Sequence, residues 1–368
     1  MLLVLGLLYA FLIAIRLLGS SIKAMGAATA GGLFEGVDNP FAGLAVGILA
    51  TVLVQSSSTT TSTIVALVGQ AGPTALSLRS AVPMIMGANI GTTVTNTIVS
   101  IGHVRQGPEF RRAFAAATVH DFFNLMCVAL LLPIELATGF LSSTAIWLTE
   151  RLAGTSGGGK IESPIKDAVK VGAKQLEHLV EATGLEGLGA AIVLLLMGIG
   201  LTFICLVMIT RNMKVLISGP LERALNNTLD KAGILGILVG AGVTFAVQSS
   251  SITTSLLVPL CAAGVLSLRN AFPIMLGANI GTTLTGVLAS MATETSSGLT
   301  IALVHVMFNL LGVAIFYPFP FLRNIPVAAA ERLAARAQGN PLWLVLYVVG
   351  LFVIVPVLGY TLFQSLPS

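Results

Sequence analysis

Charge is scarce in this sequence. Asp, Glu, Lys and Arg make up 9% of its 368 residues, against 55% hydrophobic residues. Soluble domains run near a quarter charged, because a water-facing surface has to be solvated. So few charges exclude a soluble particle of this size, and a mean hydropathy of +0.95 points to an outer surface that faces lipid. Cysteine is scarce too. Cys127, Cys205 and Cys261 lie scattered inside apolar stretches, which excludes a disulfide framework and a Cys-x-x-Cys metal site. The net charge of +4 gives a nucleic-acid partner no support. The first apolar run has no charged n-region ahead of it and contains Arg16, so it is expected to be a retained span rather than a signal peptide.

Long apolar runs, by contrast, recur along the chain. The clearest lie at 1–18, 113–132, 188–210, 299–319 and 341–362, each near the length needed to cross a hydrocarbon core. Others, near 41–69, 74–101, 234–262 and 265–292, are interrupted by Gly, Pro, Asn and hydroxyl residues.

Those interruptions occur twice in the same order. Gln55, Ser56, Ser57 and Ser58 reappear as Gln248, Ser249, Ser250 and Ser251. Thr60 and Thr61 match Thr253 and Thr254, and Arg79 and Pro83 match Arg269 and Pro273. The run Gly-Ala-Asn-Ile-Gly-Thr-Thr at 87–93, which contains Asn89, recurs unchanged at 277–283 with Asn279. Further on, His120, Phe123 and Asn124 match His305, Phe308 and Asn309. The spacing between copies drifts only as short loop deletions would make it. The chain contains itself twice. This places a first transmembrane repeat at 1–149, a polar inter-repeat loop or amphipathic segment at 150–187, and a second transmembrane repeat at 188–368. A basic excess in 211–231 suggests a cytoplasmic loop there, though the lysines of 150–187 mean the charge rule alone does not fix the orientation.

Each copy sets a polar cluster where a span should be apolar. Residues 55–63 contain no hydrophobic side chain, yet apolar segments flank them. Backbone at that depth must be satisfied internally, and non-helical backbone survives only buried in protein or lining a wet cavity. A helix that enters, breaks near the serines, and continues or turns back meets this demand. Broken helices aim partially positive N–H ends into the membrane middle, and two breaks meeting between repeats would form one central site. The glycine-rich runs fit as second breaks, since glycine permits close backbone approach.

The chemistry of such a site is neutral oxygen and N–H. Hydroxyl and amide oxygens suit a hard cation such as sodium, while the hydroxyls and free N–H groups can donate to an oxyanion. No Arg, Lys, Asp or Glu lies within 55–63 or 248–255. A multiply charged anion bound there would need mobile cations to neutralise it, which is the physical basis of cation-coupled anion symport. Simpler readings compete. Membrane serines and threonines often back-bond to the previous turn, Gln55 and Gln248 can be inter-helix glue, and the glycine runs can be close-packing motifs. His120, Asp121 and His305 are intramembrane ionisable groups and so functional candidates. Val306 replaces Asp121 in the second copy, however, and a structural hydrogen bond serves as well as proton handling.

These motifs resemble those of the type II sodium-dependent phosphate cotransporter family. The paired Gln-Ser-Ser-Ser motifs, each followed by a Gly-Ala-Asn-Ile-Gly-Thr-Thr run, carry the resemblance. So does the stretch from Phe110, Arg111 and Arg112 to His120, Asp121 and Asn124. The resemblance covers nearly all the chain. It implies an all-α polytopic membrane protein with two inverted-topology repeats, each bearing its Gln-Ser-Ser-Ser motif in a re-entrant or broken-helix hairpin. It implies inorganic phosphate as substrate and co-transported sodium, moved by alternating access in a multi-pass protein of the cell (inner or plasma) membrane.

By the same resemblance, substrate contacts fall on Gln55, Ser56, Ser57, Ser58, Gln248, Ser249, Ser250 and Ser251. Sodium ligands fall on Thr60, Thr61, Thr253 and Thr254, with Asn89 and Asn279 as further ligands or supports. The family's cytoplasmic termini would put 150–187 outside the cell and 211–231 inside. Gln106 stands where electrogenic animal members carry an aspartate tied to an additional sodium ion, and the short inter-repeat loop has no cysteine. A compact prokaryotic-type transporter fits these departures. Two other function classes stay open: an intramembrane serine hydrolase built on Ser57 and His120, which lacks any nucleophile elbow, and a passive anion channel.

Overall fold

The computed structural model describes residues 2–25, 37, 39–72, 75–104, 107–153, 164–228 and 233–363. Gln106 and the glycine run at 157–159 lie outside the described residues. Within them the chain is all-helical, without a β-strand.

The first half runs α1 (Leu2–Met25), α2 (Pro40–Val54), α3 (Ser57–Val68), α4 (Leu78–Gly91), α5 (Val94–Ile101), α6 (Pro108–Thr138) and α7 (Phe140–Ala153). An amphipathic helix α8 (Pro164–Glu181) follows, then the long α9 (Gly187–Thr228). The second half continues with α10 (Ile234–Val247), α11 (Ser250–Ala262), α12 (Leu268–Ser290), α13 (Ser297–Phe316) and α14 (Pro320–Gly339). The last span is α15 (Leu342–Val349), a π-turn at Gly350–Ile354 and α16 (Val355–Phe363). Pro356 accounts for that π-turn: it has no N–H to donate, and its ring would collide with the Phe352 carbonyl of a regular helix.

Five segments are long and apolar enough to cross a membrane: Pro108–Thr138, Gly187–Cys205, Leu268–Ser290, Ser297–Phe316 and Leu342–Phe363. The protein is a multi-pass membrane protein. One detail differs from the sequence expectation: the interrupted run near 265–292 contains a full-length span. Polar residues in α12 are absorbed by burial, since Asn279, Thr282, Thr283 and Thr285 all face inward.

The serine motifs do break their helices. α2 ends at Val54, Gln55 takes a left-handed conformation (φ 55°), and the extended Ser56 caps α3 by accepting the Thr59 N–H at 3.2 Å. α10 ends at Val247, Gln248 is again left-handed (φ 57°), and Ser249 is extended ahead of α11. The same backbone is drawn twice. α2 and α10 have 15 and 14 residues, roughly 20 Å at 1.5 Å per residue and short of a full crossing.

The glycine-rich runs are not second breaks. α12 passes through 277–283 uninterrupted, and the first copy shows only a slight irregularity at Thr92 and Thr93 between α4 and α5. Their purpose is close packing. A Cβ on Gly277 would sit 1.9 Å from the Ile237 carbonyl oxygen, and one on Gly87 would sit 2.1 Å from that of Leu44. α12 therefore lies backbone-to-backbone on α10, and α4 on α2.

Segment 150–187 resolves into the end of α7, then α8. This helix buries Val169, Ala173 and Val180 and exposes Lys170 and Lys174. It lies against α1, where Tyr9 donates to the Ala168 carbonyl at 2.9 Å.

Candidate functional site

Each helix break is pinned by its glutamine in the same way. The Gln55 amide donates to the Val52 carbonyl, and its oxygen accepts from Thr95 Oγ1 at 3.4 Å. The Gln248 amide donates to the Phe245 carbonyl at 2.6 Å, and its oxygen accepts from Thr285 Oγ1 at 2.9 Å. Thr95 and Thr285 stand two residues past the two glycine-rich runs, so the repeat itself carried a signal for them. α5 and α12 thus hold the glutamines at the two helix breaks.

The helices that follow the breaks also cross over. α3 of the first half packs on α12 of the second, with Ser58 Oγ and Thr282 Oγ1 3.3 Å apart. α11 of the second half packs on α5 of the first. There Asn96 Oδ1 accepts from Thr254 Oγ1 at 2.9 Å and from Ser255 Oγ at 3.2 Å. This exchange brings the two breaks together. Gln55, Ser56, Ser57 and Ser58 share one cavity of about 300 Å3 with Gln248, Ser249, Ser250 and Ser251. Its remaining wall is Phe203 and Val207 from α9, with Ile252. No motif marked Phe203 or Val207, which lie in an ordinary apolar span and reach the site only through tertiary packing.

Among the described residues no charged side chain lines the cavity. Its polarity comes from hydroxyls, amides and two helix N-termini, whose first-turn N–H groups have no acceptor within the helix. The aligned peptide dipoles make each N-terminus partially positive. The ends differ in one respect: Ser56 caps its helix by side chain, whereas Ser249 makes no such cap. Such a wall can donate to an oxyanion from several directions while presenting neutral oxygens to a cation.

The threonines lie one turn further along α3 and α11, outside the cavity wall. Thr60 donates to the Ser56 carbonyl at 3.2 Å and Thr61 to that of Ser58 at 3.3 Å. Thr253 accepts from Thr244 at 2.8 Å, and Thr254 reaches Asn96. Asn89 and Asn279 stand elsewhere, in a buried polar cluster that links the halves. Asn279 donates to Asn124 at 2.8 Å and pairs with His120 Nε2, while Asn124 donates to the Asn89 carbonyl at 2.8 Å and Asn309 to Asn89 Oδ1 at 3.3 Å. His120 is therefore engaged with Asn279 rather than with Ser57. Asp121 accepts from the Tyr347 hydroxyl at 2.6 Å and ties α6 to the last span. Arg112 caps the far end of α11, donating to the Ala262 carbonyl at 2.8 Å and to that of Cys261 at 3.2 Å. No group of His, Cys, Asp and Glu side chains suited to a metal ion occurs among the described residues.

Fold and cavity together define an all-helical, multi-pass membrane protein whose two sequence repeats each contribute half of one uncharged polar cavity. The sequence profile of the Na+/Pi-cotransporter family matches residues 10–146 and 194–317, and the chain belongs to that family. It is 34% identical to the sodium-dependent phosphate transport protein 2A of Rattus norvegicus, over 97% of this chain and 67% of that protein. It is 33% identical to the 2B protein of Homo sapiens, over 97% of this chain and 64% of that protein. The chain thus spans about two thirds of the length of these curated relatives. No solved structure matches it. Its relatives are transporters, not enzymes, which removes the serine hydrolase reading.

Proposed function

We propose that this chain is a secondary active transporter that carries inorganic phosphate into the cell together with sodium ions. Phosphate binds between the two serine hairpins, held by Gln55, Ser56, Ser57, Ser58, Gln248, Ser249, Ser250 and Ser251. Sodium binds next to it through Thr60, Thr61, Thr253 and Thr254 as these helices shift, with Asn89 and Asn279 supporting the hairpins from the buried cluster. The halves at 1–149 and 188–368 are inverted-topology repeats in the cell membrane, and the cavity opens to each side in turn around a fixed midplane site.

The observation that carries this reading is the convergence of both Gln-Ser-Ser-Ser motifs on a single cavity with no charged side chain among its described lining residues. In a low-dielectric surrounding, an unneutralised anion is strongly disfavoured. A cation bound nearby lowers that penalty, and the anion lowers it for the cation in turn. Coupling then follows from electrostatics, because the binding of each ion favours the other reciprocally. The names of the relatives, sodium-dependent phosphate transport proteins, agree with both ions.

The test is uptake of radiolabelled phosphate by proteoliposomes containing the purified protein, with an inward sodium gradient or with choline in its place. Concentrative uptake is expected only with sodium. Equal uptake in both conditions would remove the coupling, and uptake that never exceeds equilibrium would make the protein a passive channel.

A further inference from the structure

A second polar cavity lies away from the hairpins, and its chemistry is the opposite of theirs. It has a volume of about 230 Å3 and sits where α10, α12 and α14 begin and α13 ends. Arg269, Asn270, Tyr317, Arg323 and Asn324 line it, with Gly233 at its rim. The Arg323 guanidinium stands over the Tyr317 ring at 5.6 Å from the centroid, which orients it. The buried Phe272 and Val327 form its apolar part. Among the described residues no carboxylate lines this cavity or pairs with either arginine.

Two arginines among the described lining residues give this cavity a positive character that an anion would match. Both are forked, permanently charged donors whose geometry matches phosphate oxygens bidentately. Three helices begin beside them, each adding partial positive charge from its N-terminus. Asn324 and the tyrosine hydroxyl can supply further donors.

This arrangement is no copy of the duplicated site. With the register that pairs His120 with His305 continued, the first half carries Leu132 and Thr138 where Tyr317 and Arg323 stand. Only Arg269 has a basic counterpart, Arg79. We propose that this cavity is a separate oxyanion site for a phosphate group, either free or borne on a lipid headgroup. Its fixed charges let it bind without sodium, which the central cavity is not built to do.

That difference gives the test. Detergent-purified protein in sodium-free choline buffer would be titrated with inorganic phosphate, with a short-chain phosphatidate, and with the matching short-chain diacylglycerol, which has no phosphate, as the control, following the thermal midpoint. A saturable rise is expected with phosphate or phosphatidate and not with the control. Phosphate alone acting identifies a free-anion site, and phosphatidate alone identifies a lipid site. R269Q/R323Q should weaken that binding at least tenfold, R269K/R323K should keep part of it with the fold intact, and Ser57→Phe should leave it unchanged. Absence of saturable binding by both probes, wild-type binding by R269Q/R323Q, or loss of binding in Ser57→Phe would each overturn the proposal. Because no sodium is present, the outcome does not depend on whether the central cavity performs coupled transport.

Discussion

At the residue scale, Gln55 and Gln248 are the most informative positions. They are the two non-glycine residues with positive φ among those described, a conformation that costs about 1–2 kcal/mol for a residue with a Cβ. Glycine would be the relaxed choice, so the side chain must repay the strain. It does so twice over, holding the preceding turn and accepting from Thr95 or Thr285. We therefore expect Gln248→Gly to fold with a thermal midpoint close to wild type and to lose at least tenfold in sodium-driven phosphate uptake. Unchanged uptake would reduce the glutamine to a backbone device. Ser57 and Ser250 are a different case, being 7% and 2% exposed at the mouths of their helices. A phenylalanine at either should fill the cavity, abolishing uptake while the protein stays monodisperse in detergent. Normal uptake by both variants would detach the cavity from transport. These residues were legible in the sequence, because a polar run inside an apolar span is conspicuous and its repetition more so.

At the element scale, legibility was uneven. The serine breaks appear where the composition demanded them, since nothing but a break explains so many hydroxyls between two apolar half-helices. The glycine runs misled because glycine marks both a break and a close approach, and only the partner helix decides which. That partner is α10 for Gly277. Substituting alanine there would drive a methyl to 1.9 Å from a backbone oxygen, and backbone cannot yield as a side chain does. Gly277→Ala should destabilise by about 1–3 kcal/mol, the usual range for overpacking, read as a lower thermal midpoint. Gly286→Ala, whose methyl would meet nothing nearer than 3.8 Å, should be neutral. Similar losses in both would mean that the α10–α12 seam is looser than drawn. The start of the connection between α3 and α4 was not legible at all. Glu294 pairs with Arg16 at 3.0 Å and accepts the Ala71 N–H at 3.1 Å, while its own N–H and that of Thr295 donate to the Gly69 carbonyl. Arg16 looked like a flaw in an apolar run. It is instead one arm of a clasp from α1 to the second half, whose sequence distance hides it.

At the scale of the whole molecule, neither half contains the cavity by itself. α3 is held by α12 and α11 by α5, so the cavity exists only where the halves interlock. Their buried faces are completed by the cluster of Asn89, His120, Asn124, Asn279 and Asn309, and by the contact of Thr300 with Thr149 at 3.0 Å. A half expressed alone would leave these polar groups facing hydrocarbon, where each unsatisfied group costs several kcal/mol. It follows that 1–153 and 164–368 expressed separately should each fail to support sodium-driven phosphate uptake, while their co-expression from two open reading frames restores it, because the cut falls in the polar inter-repeat stretch and severs none of these contacts. The check is uptake in vesicles from cells carrying either fragment or both, with co-purification through a tag on one. Transport by a single fragment would mean that one serine hairpin suffices. Co-purification without transport would mean that the halves assemble but that covalent continuity through 154–163 is needed to carry motion from one to the other.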